Sequence, residues 1–338
     1  MHLNLWLFVS FLLAATSLAS PTVNSTAYSR RATYNNPIKP GGGADPWVLK
    51  YGDSYYLLYT TGGNVQVTRS SNLAQWAQTG TVVYQPPSGY TDVWAPELHY
   101  INGRFYIYVA MAQNGDNASH RMYVLQGTST TDPLQPFNLV GQITSSDNNW
   151  AIDGTVLVLY FIWSGWADSS HQTTQNLYIA PMSSPMQITG ARVLLHEPTP
   201  AWQHSGGQAI NEGPEILVNN GRTFLIFCEL LCPSPRTSAY CLAFMGIDGG
   251  ADPLIRSNWW VLDDHPVMSS SSVAFGPGHA SFPYGRNGVP YIAYHADAMP
   301  DGGWEGRTIR TQAFGWNADS SPAFPSPMGF DTAFLLLA

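Results

Sequence analysis

The chain has 338 residues, a formal net charge of -8, 11% charged residues and 13% aromatic residues. The acidic balance argues against a nucleic-acid partner, because phosphate groups are neutralised by Lys and Arg. An apolar content of 44% argues against a disordered chain. Abundant Gly, Pro and aromatic residues are instead typical of an all-β protein with many tight turns.

Residues 1–19 have the pattern of a secretory signal peptide. The stretch "MHLNLWLFVSFLLAATSLAS" has an apolar core followed by small residues. This apolar run is short for a bilayer span, so we expect a secreted, extracellular protein with no membrane association. Residues 20–32 are expected to form an N-terminal arm, in which Arg30-Arg31 is either a dibasic processing site or part of an exposed segment.

If the chain is secreted, its two sequons can be N-glycosylated and its three cysteines can form a disulfide. Asn24 and Asn117 are candidate N-glycosylation sites. Three cysteines allow one disulfide and one free thiol. We favour a disulfide between Cys232 and Cys241, with Cys228 buried in a strand, and the spacing of the three does not match a zinc site.

Residues 33–338 are predicted to form one domain with a repeated unit. Each unit begins with a short polar or small segment, here called the lead, followed by an apolar strand and a second apolar strand. A Gly-containing turn between the two strands is plain in four of the five units. The leads lie in "ADPWV", "WAPEL", "AIDGTV", "NEGPEI" and "GHASF", at Asp45, Glu97, Asp153, Glu212 and His279. Five such units predict an all-β, five-bladed β-propeller. A two-sheet sandwich is the alternative, but it does not explain the recurring lead.

The propeller prediction gives three carboxylates a common location. The innermost strands of all blades line one axis, so Asp45, Asp153 and Glu212 are expected to face one funnel. Like charges at close range cannot all ionise freely, so at least one pKa must rise. Such a separation of an acid from a base is what glycoside hydrolysis needs.

The five motifs together resemble glycoside hydrolase family 43 from about Thr33 to about Pro327, and most resemble its secreted fungal α-L-arabinofuranosidases and exo-acting arabinan hydrolases. The resemblance implies that Asp45 is the general base and Glu212 the general acid. It also implies that Asp153 orients the acid and keeps its pKa raised. The family inverts configuration, for which acid and base lie roughly 6.5–9.5 Å apart.

The resemblance also implies an axial role for His279, which is either a satisfied core residue or a ligand of a structural cation such as calcium. No cofactor is expected to be required. Arg307 is the candidate for binding a sugar hydroxyl, with Arg310 as its competitor. The tryptophans expected to stack on sugar rings, with blade packing as the alternative, are Trp47, Trp94 and Trp166.

Glu215 competes with Glu212 for the role of acid, but strand alternation is expected to turn the two to opposite faces. Two segments depart from the family pattern. The third unit, "AIDGTVLVLYFIWSGW", lacks polar turn residues between Leu157 and Tyr160, so we expect strain there. The fourth contains "FCELLC", in which we favour a solvated Glu229.

The sequence therefore predicts a monomeric, secreted hydrolase that releases L-arabinofuranose from arabinan or arabinoxylan of plant cell walls. An endo-arabinanase or a β-xylosidase of the same family is the first alternative. A non-catalytic carbohydrate-binding propeller is the second, and the presence of all three carboxylates argues against it.

Overall fold

The computed structural model describes residues 33–199, 203–205, 208–230, 237–262 and 265–336. The predicted signal peptide, the predicted N-terminal arm, Asn24 and Cys232 lie outside the described residues. Almost all regular structure in the described part is β-strand, which confirms the prediction of an all-β fold.

Two groups of four antiparallel strands come first along the chain. Group I contains β2 (Ala44–Tyr51), β3 (Ser54–Thr60), β4 (Val65–Ser70) and β5 (Thr81–Tyr84). Group II contains β6 (Tyr90–Ile101), β7 (Arg104–Gln113), β8 (Asp116–Gly127) and β9 (Phe137–Gln142). Before them, β1 (Thr33–Asn35) pairs with β25 (Ala333–Leu335), so the two ends of the domain are joined in one small sheet.

A ten-stranded sheet holds the next two groups. Group III contains β10 (Ala151–Leu157), β11 (Tyr160–Gly165), β12 (Thr174–Ser184) and β14 (Val193–His196), with β13 (Gln187–Ile188) beside β12. Group IV contains β16 (Gln208–Asn219), β17 (Arg222–Leu230), β18 (Tyr240–Asp248) and β19 (Trp259–Val261), with β15 (His204–Ser205) beside β16. A short parallel pairing of β12 with β16 links the two groups.

Group V contains β20 (Phe275–Ser281), β21 (Tyr291–Asp297) and β22 (Arg307–Ala313). A small two-stranded sheet of β23 (Gly315–Trp316) and β24 (Pro322–Ala323) follows it. The helical elements of the described part are short: α1 (Gly303–Gly306) and 3-10 turns at Thr237–Ala239 and Arg256–Asn258.

Five hydrophobic clusters lie between the strand groups. Each contains buried residues from two groups, and the groups are taken in the cyclic order I–II, II–III, III–IV, IV–V and V–I. The cluster that joins group V to group I brings the end of the chain back against its beginning. Representative members, in that order, are Leu58 and Leu98, Tyr108 and Trp163, Ile179 and Phe227, Phe224 and Tyr294, and Tyr291 and Leu57.

The first strand of every group carries a β-bulge, which the sequence patterns did not predict. In β2 the register shifts between Ala44 and Trp47, and similar shifts occur in β6, β10, β16 and β20. A residue with positive φ lies at each bulge; three of them are Asp45 (φ 56°), Asp153 (φ 54°) and Gly213 (φ 58°). A bulge re-aims the side chains around it, so these strands depart from simple alternation at the lead motifs.

The turn of the third unit is strained, as expected. Leu157 pairs with Tyr160, so only Val158 and Leu159 connect β10 to β11. Val158 has φ 53° and is 80% exposed. A β-branched residue is unfavourable in the left-handed region, so the hairpin closes at a conformational cost.

Two expectations for group IV are corrected. Glu229 is fully buried rather than solvated, because it lies on β17 opposite Asn211 of the first strand. Cys241 is a free, buried thiol on β18, so the disulfide expected with Cys232 is not formed in the structure. Cys228 is buried in β17, as predicted.

Candidate active site

His279 brings two of the predicted carboxylates together. It lies on β20 at the bulge of group V, with φ 32°, and is 4% exposed. Its Nδ1 atom lies 3.6 Å from Asp45 Oδ1 and 3.7 Å from Asp153 Oδ2. Groups I, III and V therefore meet at this imidazole, although the two aspartates are far apart in sequence.

Asp45 is surrounded by groups that favour its ionised form. Thr60 donates a 2.6 Å hydrogen bond to Oδ2, while Arg307 Nη1 and His295 Nδ1 lie 3.3 and 3.2 Å from Oδ1. Burial raises the pKa of Asp45, but Arg307, His295 and His279 outweigh burial and hold it well below its usual range. The ionised form of Asp45 is therefore strongly favoured.

Asp153 has the opposite electrostatic environment. Burial and the negative charge of Asp45 raise the pKa of Asp153 well above its usual range. Its Oδ2 accepts a 3.0 Å hydrogen bond from the backbone N–H of Gly213, the residue that follows Glu212. This contact ties the peptide that carries the predicted acid to the third carboxyl.

Gly213 is required by space as well as by its positive φ. A Cβ atom there would lie 2.9 Å from His279 Cγ and 3.0 Å from Cys228 Sγ. Cys228 Sγ in turn donates to Glu212 O at 3.1 Å and accepts from His279 N at 3.3 Å. The Glu-Gly-Pro motif therefore marks the place where the chain passes closely between two neighbouring strands.

Glu212 has the properties of a proton donor near neutral pH. Burial and the nearby charge of Asp153 raise the pKa of Glu212 to about 7. The hydroxyl of Tyr240, at the start of β18, donates a short hydrogen bond to Glu212 Oε1, which lowers this pKa in part. The three carboxyls thus differ in protonation, with Asp45 ionised and Glu212 protonated over most of the acidic range.

A second carboxyl pair lies beside the first set. One ligand atom each from Glu97, Glu215 and His279 lies within 4.8 Å of the others, and all three residues are buried. Both Glu212 and Glu215 therefore approach the groups around His279, and the expectation that they face opposite sides is wrong. The bulge between them shifts the alternation by one residue, which returns the second side chain to the same face.

The predicted aromatic residues differ in exposure. Trp94 is half-buried and stacks on the imidazole of His120, with ring centres 4.0 Å apart. Trp47 is half-buried, and its Nε1 donates to Leu98 O at 2.7 Å. Trp166 is 5% exposed and lies face to face on Trp150, which argues for a role in core packing over sugar binding.

The two candidate sugar-binding arginines, Arg307 and Arg310, lie in different environments. Arg307 contacts Asp45, as described above, whereas Arg310 is fully buried. Arg310 donates hydrogen bonds to backbone carbonyls, including those of Met328 and Asp297. Of the two, therefore, only Arg307 touches the carboxylate set.

Three residues of the site lie outside every sequence motif. Thr60, Tyr240 and His295 each contact Asp45 or Glu212, yet none belongs to a lead. Of the three, Thr60 is the one whose contact could best be predicted from local sequence, because it ends β3 directly opposite Ala44, the residue before Asp45. Tyr240 and His295 come from other strands, so their contacts depend on how the strands pack.

An all-β chain that gathers carboxyls of different pKa around buried histidines has the features of a glycoside hydrolase. The chain belongs to glycosyl hydrolases family 43, whose family model matches residues 34–322. This finding agrees with the resemblance noted in the sequence.

Among the relatives is an extracellular exo-alpha-(1->5)-L-arabinofuranosidase of Streptomyces avermitilis, 29% identical over 97% of this chain and 71% of its own length. Alpha-L-arabinofuranosidase 43 of Humicola insolens is 30% identical over 84% of this chain, which spans 62% of that relative. An alpha-L-arabinofuranosidase of Lactobacillus brevis has a similar crystal structure, with a TM-score of 0.80, 28% identity and coverage of 88% and 98% of the two chains. An arabinan endo-1,5-alpha-L-arabinosidase A of Aspergillus aculeatus is 28% identical over 92% of this chain and 98% of its own length.

Proposed function

We propose that this protein is a secreted, inverting α-L-arabinofuranosidase that releases L-arabinofuranose from arabinan or arabinoxylan side chains. The observation that carries the proposal is the meeting of Asp45 and Asp153 at His279, next to the peptide of Glu212. The opposite pKa shifts of Asp45 and Glu212 supply one base and one acid. The names of the relatives point to the arabinofuranosyl substrate.

The chemistry follows from these two protonation states. Asp45 accepts a proton from a water molecule as the water oxygen attacks the anomeric carbon. Glu212 donates its proton to the glycosidic oxygen as the bond between that oxygen and the anomeric carbon breaks. The products are L-arabinose of inverted anomeric configuration and the shortened chain with a free hydroxyl. Asp153 keeps the pKa of Glu212 high enough for the acid to be protonated before reaction.

We also propose that the five strand groups are the blades of one propeller. The five clusters between groups I and II, II and III, III and IV, IV and V, and V and I support a ring, because a sandwich has no reason to pair its last group with its first in this cyclic order. In such a ring the bulged first strands line the axis. This arrangement accounts for the contact of His279 with both Asp45 and Asp153.

Endo-acting hydrolysis is the second candidate function. The Aspergillus aculeatus relative is named as an endo-1,5-arabinosidase, and this chain spans nearly its whole length. The same carboxyls can serve either reaction, since the difference depends on whether the substrate chain can pass across the site at both ends.

Product analysis tests these functions. We expect the protein to release free L-arabinose from debranched arabinan and from defined arabino-oligosaccharides. Release of oligosaccharides would favour the endo-arabinanase, release of xylose from xylo-oligosaccharides would favour a β-xylosidase, and binding without any release would favour the carbohydrate-binding propeller. Proton NMR during the first turnovers should show the inverted anomer, and a retained anomer would contradict the assignment of Asp45 as a base.

Secretion is proposed from the sequence of residues 1–19 and from the name of the extracellular relative. In the described part of the chain, no helix is long and apolar enough to span a membrane. Asn117 is exposed on β8, as a glycosylated asparagine must be. Mass spectrometry of the secreted protein, with and without enzymatic deglycosylation, tests the modification, and the same sample tests the proposed monomer by light scattering.

A structural cation at Glu97, Glu215 and His279 is also proposed. Glu97 Oε1 and Glu215 Oε1 are buried and have no hydrogen-bond partner among the described residues, and an oxygen-seeking cation such as Ca²⁺ would satisfy both. Without a cation, burial and the charge of Glu97 raise the pKa of Glu215 well above its usual range. Calcium should therefore raise the melting temperature of the wild type but not of Glu97→Gln, and an equal rise in both would contradict this site.

A further inference from the structure

An exposed tryptophan lies next to the candidate active site, in the segment between β21 and β22. Trp304 belongs to α1 and is 62% exposed. The tryptophans proposed above for sugar binding, Trp47, Trp94 and Trp166, are all half-buried or buried. An indole this exposed leaves apolar ring surface that an external group can cover.

Trp304 contacts the neighbours of both the base and the acid. The guanidinium carbon of Arg307 lies 5.0 Å from the centre of the indole, and Arg307 also contacts Asp45 Oδ1. On another side, the ring of Tyr240 approaches edge-on with centres 6.5 Å apart, and its hydroxyl binds Glu212. Trp304 is therefore one residue removed from each of the two groups proposed to transfer protons.

The segment that carries Trp304 is held in place. Asp297 at the end of β21 lies opposite Arg307 at the start of β22 in the antiparallel strand pair, so the two ends of the segment are held together. A Cβ atom at Gly302 would lie 2.8 Å from Asp297 Cγ, so the backbone packs directly on this side chain. Arg307 Nε also donates to Trp304 O at 3.2 Å. The indole is thus presented by a closely packed loop, and little ordering is needed when it binds a ligand.

Resting on the proposed function, we propose that Trp304 is the platform for the sugar on the leaving side of the cleaved bond. The arabinose to be released must lie within reach of Asp45 and Glu212, among buried residues. The remainder of the substrate then continues outward past the acid, where Trp304 is exposed. Stacking of the indole on the apolar C–H face of a neutral pentofuranose fits this position, and the Arg307 cation beside it does not repel an uncharged ring.

The test compares two substrates that differ only in the leaving group. α-1,5-Arabinobiose has a sugar that Trp304 can contact, whereas α-L-arabinofuranosyl fluoride has none. Trp304→Ala should lower kcat/KM for the disaccharide about tenfold and change that for the fluoride by less than about twofold. Trp304→Phe should retain most of the activity on both, because an aromatic face remains.

Met299→Ala is the matched control, since Met299 is 64% exposed in the same segment. It should leave both substrates unaffected. Equal losses of kcat/KM on the two substrates in Trp304→Ala would overturn the platform, because they would indicate an effect through Arg307 on the reaction itself. The absence of any loss would also overturn it.

Binding separates this inference from the proposed function. If the wild type hydrolyses neither substrate, the proposed function fails, and calorimetric titration with arabinotriose then decides the role of Trp304. A Kd weakened about tenfold in Trp304→Ala would support the platform, and an unchanged Kd would overturn it.

Discussion

Asp153 and Val158 lie five residues apart on and just after β10, and their backbones adopt nearly the same unusual conformation, with φ 54° and 53°. Their surroundings differ completely. Asp153 is 5% exposed, and its carboxyl contacts His279 and the Gly213 amide. Val158 is 80% exposed at the tip of a hairpin.

The comparison shows two origins of the same strain. A left-handed conformation costs a residue with a Cβ about 1–2 kcal/mol. At Asp153 this conformation directs the carboxyl toward the other groups of the site. Asp45 has a similar backbone conformation, with φ 56°, and its carboxyl lies in the same site. At Val158 the conformation only closes a turn whose residues do not favour it. The first strain is expected to be needed for activity and the second to be dispensable.

The largest effect is expected at the acid that Asp153 supports. Glu212→Gln should lower kcat/KM on arabino-oligosaccharides by about 10³-fold or more, because the amide cannot protonate a poor leaving group. Arabinofuranosyl fluoride needs no such proton, so its hydrolysis should be largely retained. Steady-state kinetics on both substrates measures the contrast, and wild-type turnover of arabinan by this variant would refute the assignment.

Glycine substituted at each of the two strained positions, Asp153 and Val158, tests whether the strain there is needed for activity. Asp153→Gly accepts the backbone conformation but removes the carboxyl, so kcat/KM should fall by about 10²-fold or more while the protein stays folded. The raised pKa means that native Asp153 holds its proton after the unfolded state has lost it, so stability decreases as pH rises above the unfolded value. The stability of the variant relative to wild type should therefore increase as pH rises above about 4, as measured by urea unfolding.

Activity of Asp153→Gly equal to that of wild type would show that the bulge, and not the carboxyl, is the functional feature. Asp153→Asn is the control for size, because its amide oxygen can still accept the Gly213 hydrogen bond.

A smaller effect is expected in the pH profile. With the pKa of Glu212 raised to about 7, kcat/KM on arabinobiose should fall as pH rises through that value, because the acid loses its proton. Tyr240→Phe removes a hydrogen bond that lowers this pKa, so the alkaline limb should move to higher pH. Asp153→Asn removes a charge that raises it, so the limb should move to lower pH. Shifts in the same direction for both variants would contradict this account.

Much of this site follows from local sequence, and the rest does not. The leads identify Asp45, Asp153 and Glu212, and the bulge explains the glycine that follows Glu212, because Gly213 has positive φ and no room for a Cβ atom. The bulges themselves made simple alternation fail at Glu215. A bulge depends on the register of two strands, and no residue pattern in one strand specifies it alone.

Residues such as Tyr240 and Trp304 show a second limit. Tyr240 reaches Glu212 from β18, and Trp304 reaches Tyr240 from the segment after β21. Each contact joins residues that are distant in sequence and carry no shared motif. Packing between strands decides such contacts, so they become visible only in the folded chain.

The smallest effect is expected at Val158, and it completes the comparison. Val158→Gly should raise the free energy of unfolding by about 1 kcal/mol, since glycine accepts positive φ at the first position of a two-residue turn. Val158→Ala is the control, because it removes exposed apolar surface but keeps the Cβ atom that causes the strain. Urea unfolding should show a gain for glycine alone, with kcat/KM unchanged in both variants. An equal gain for alanine would assign the effect to the exposed side chain, and a loss of activity would show that strain at this turn, like that at Asp153, serves the site.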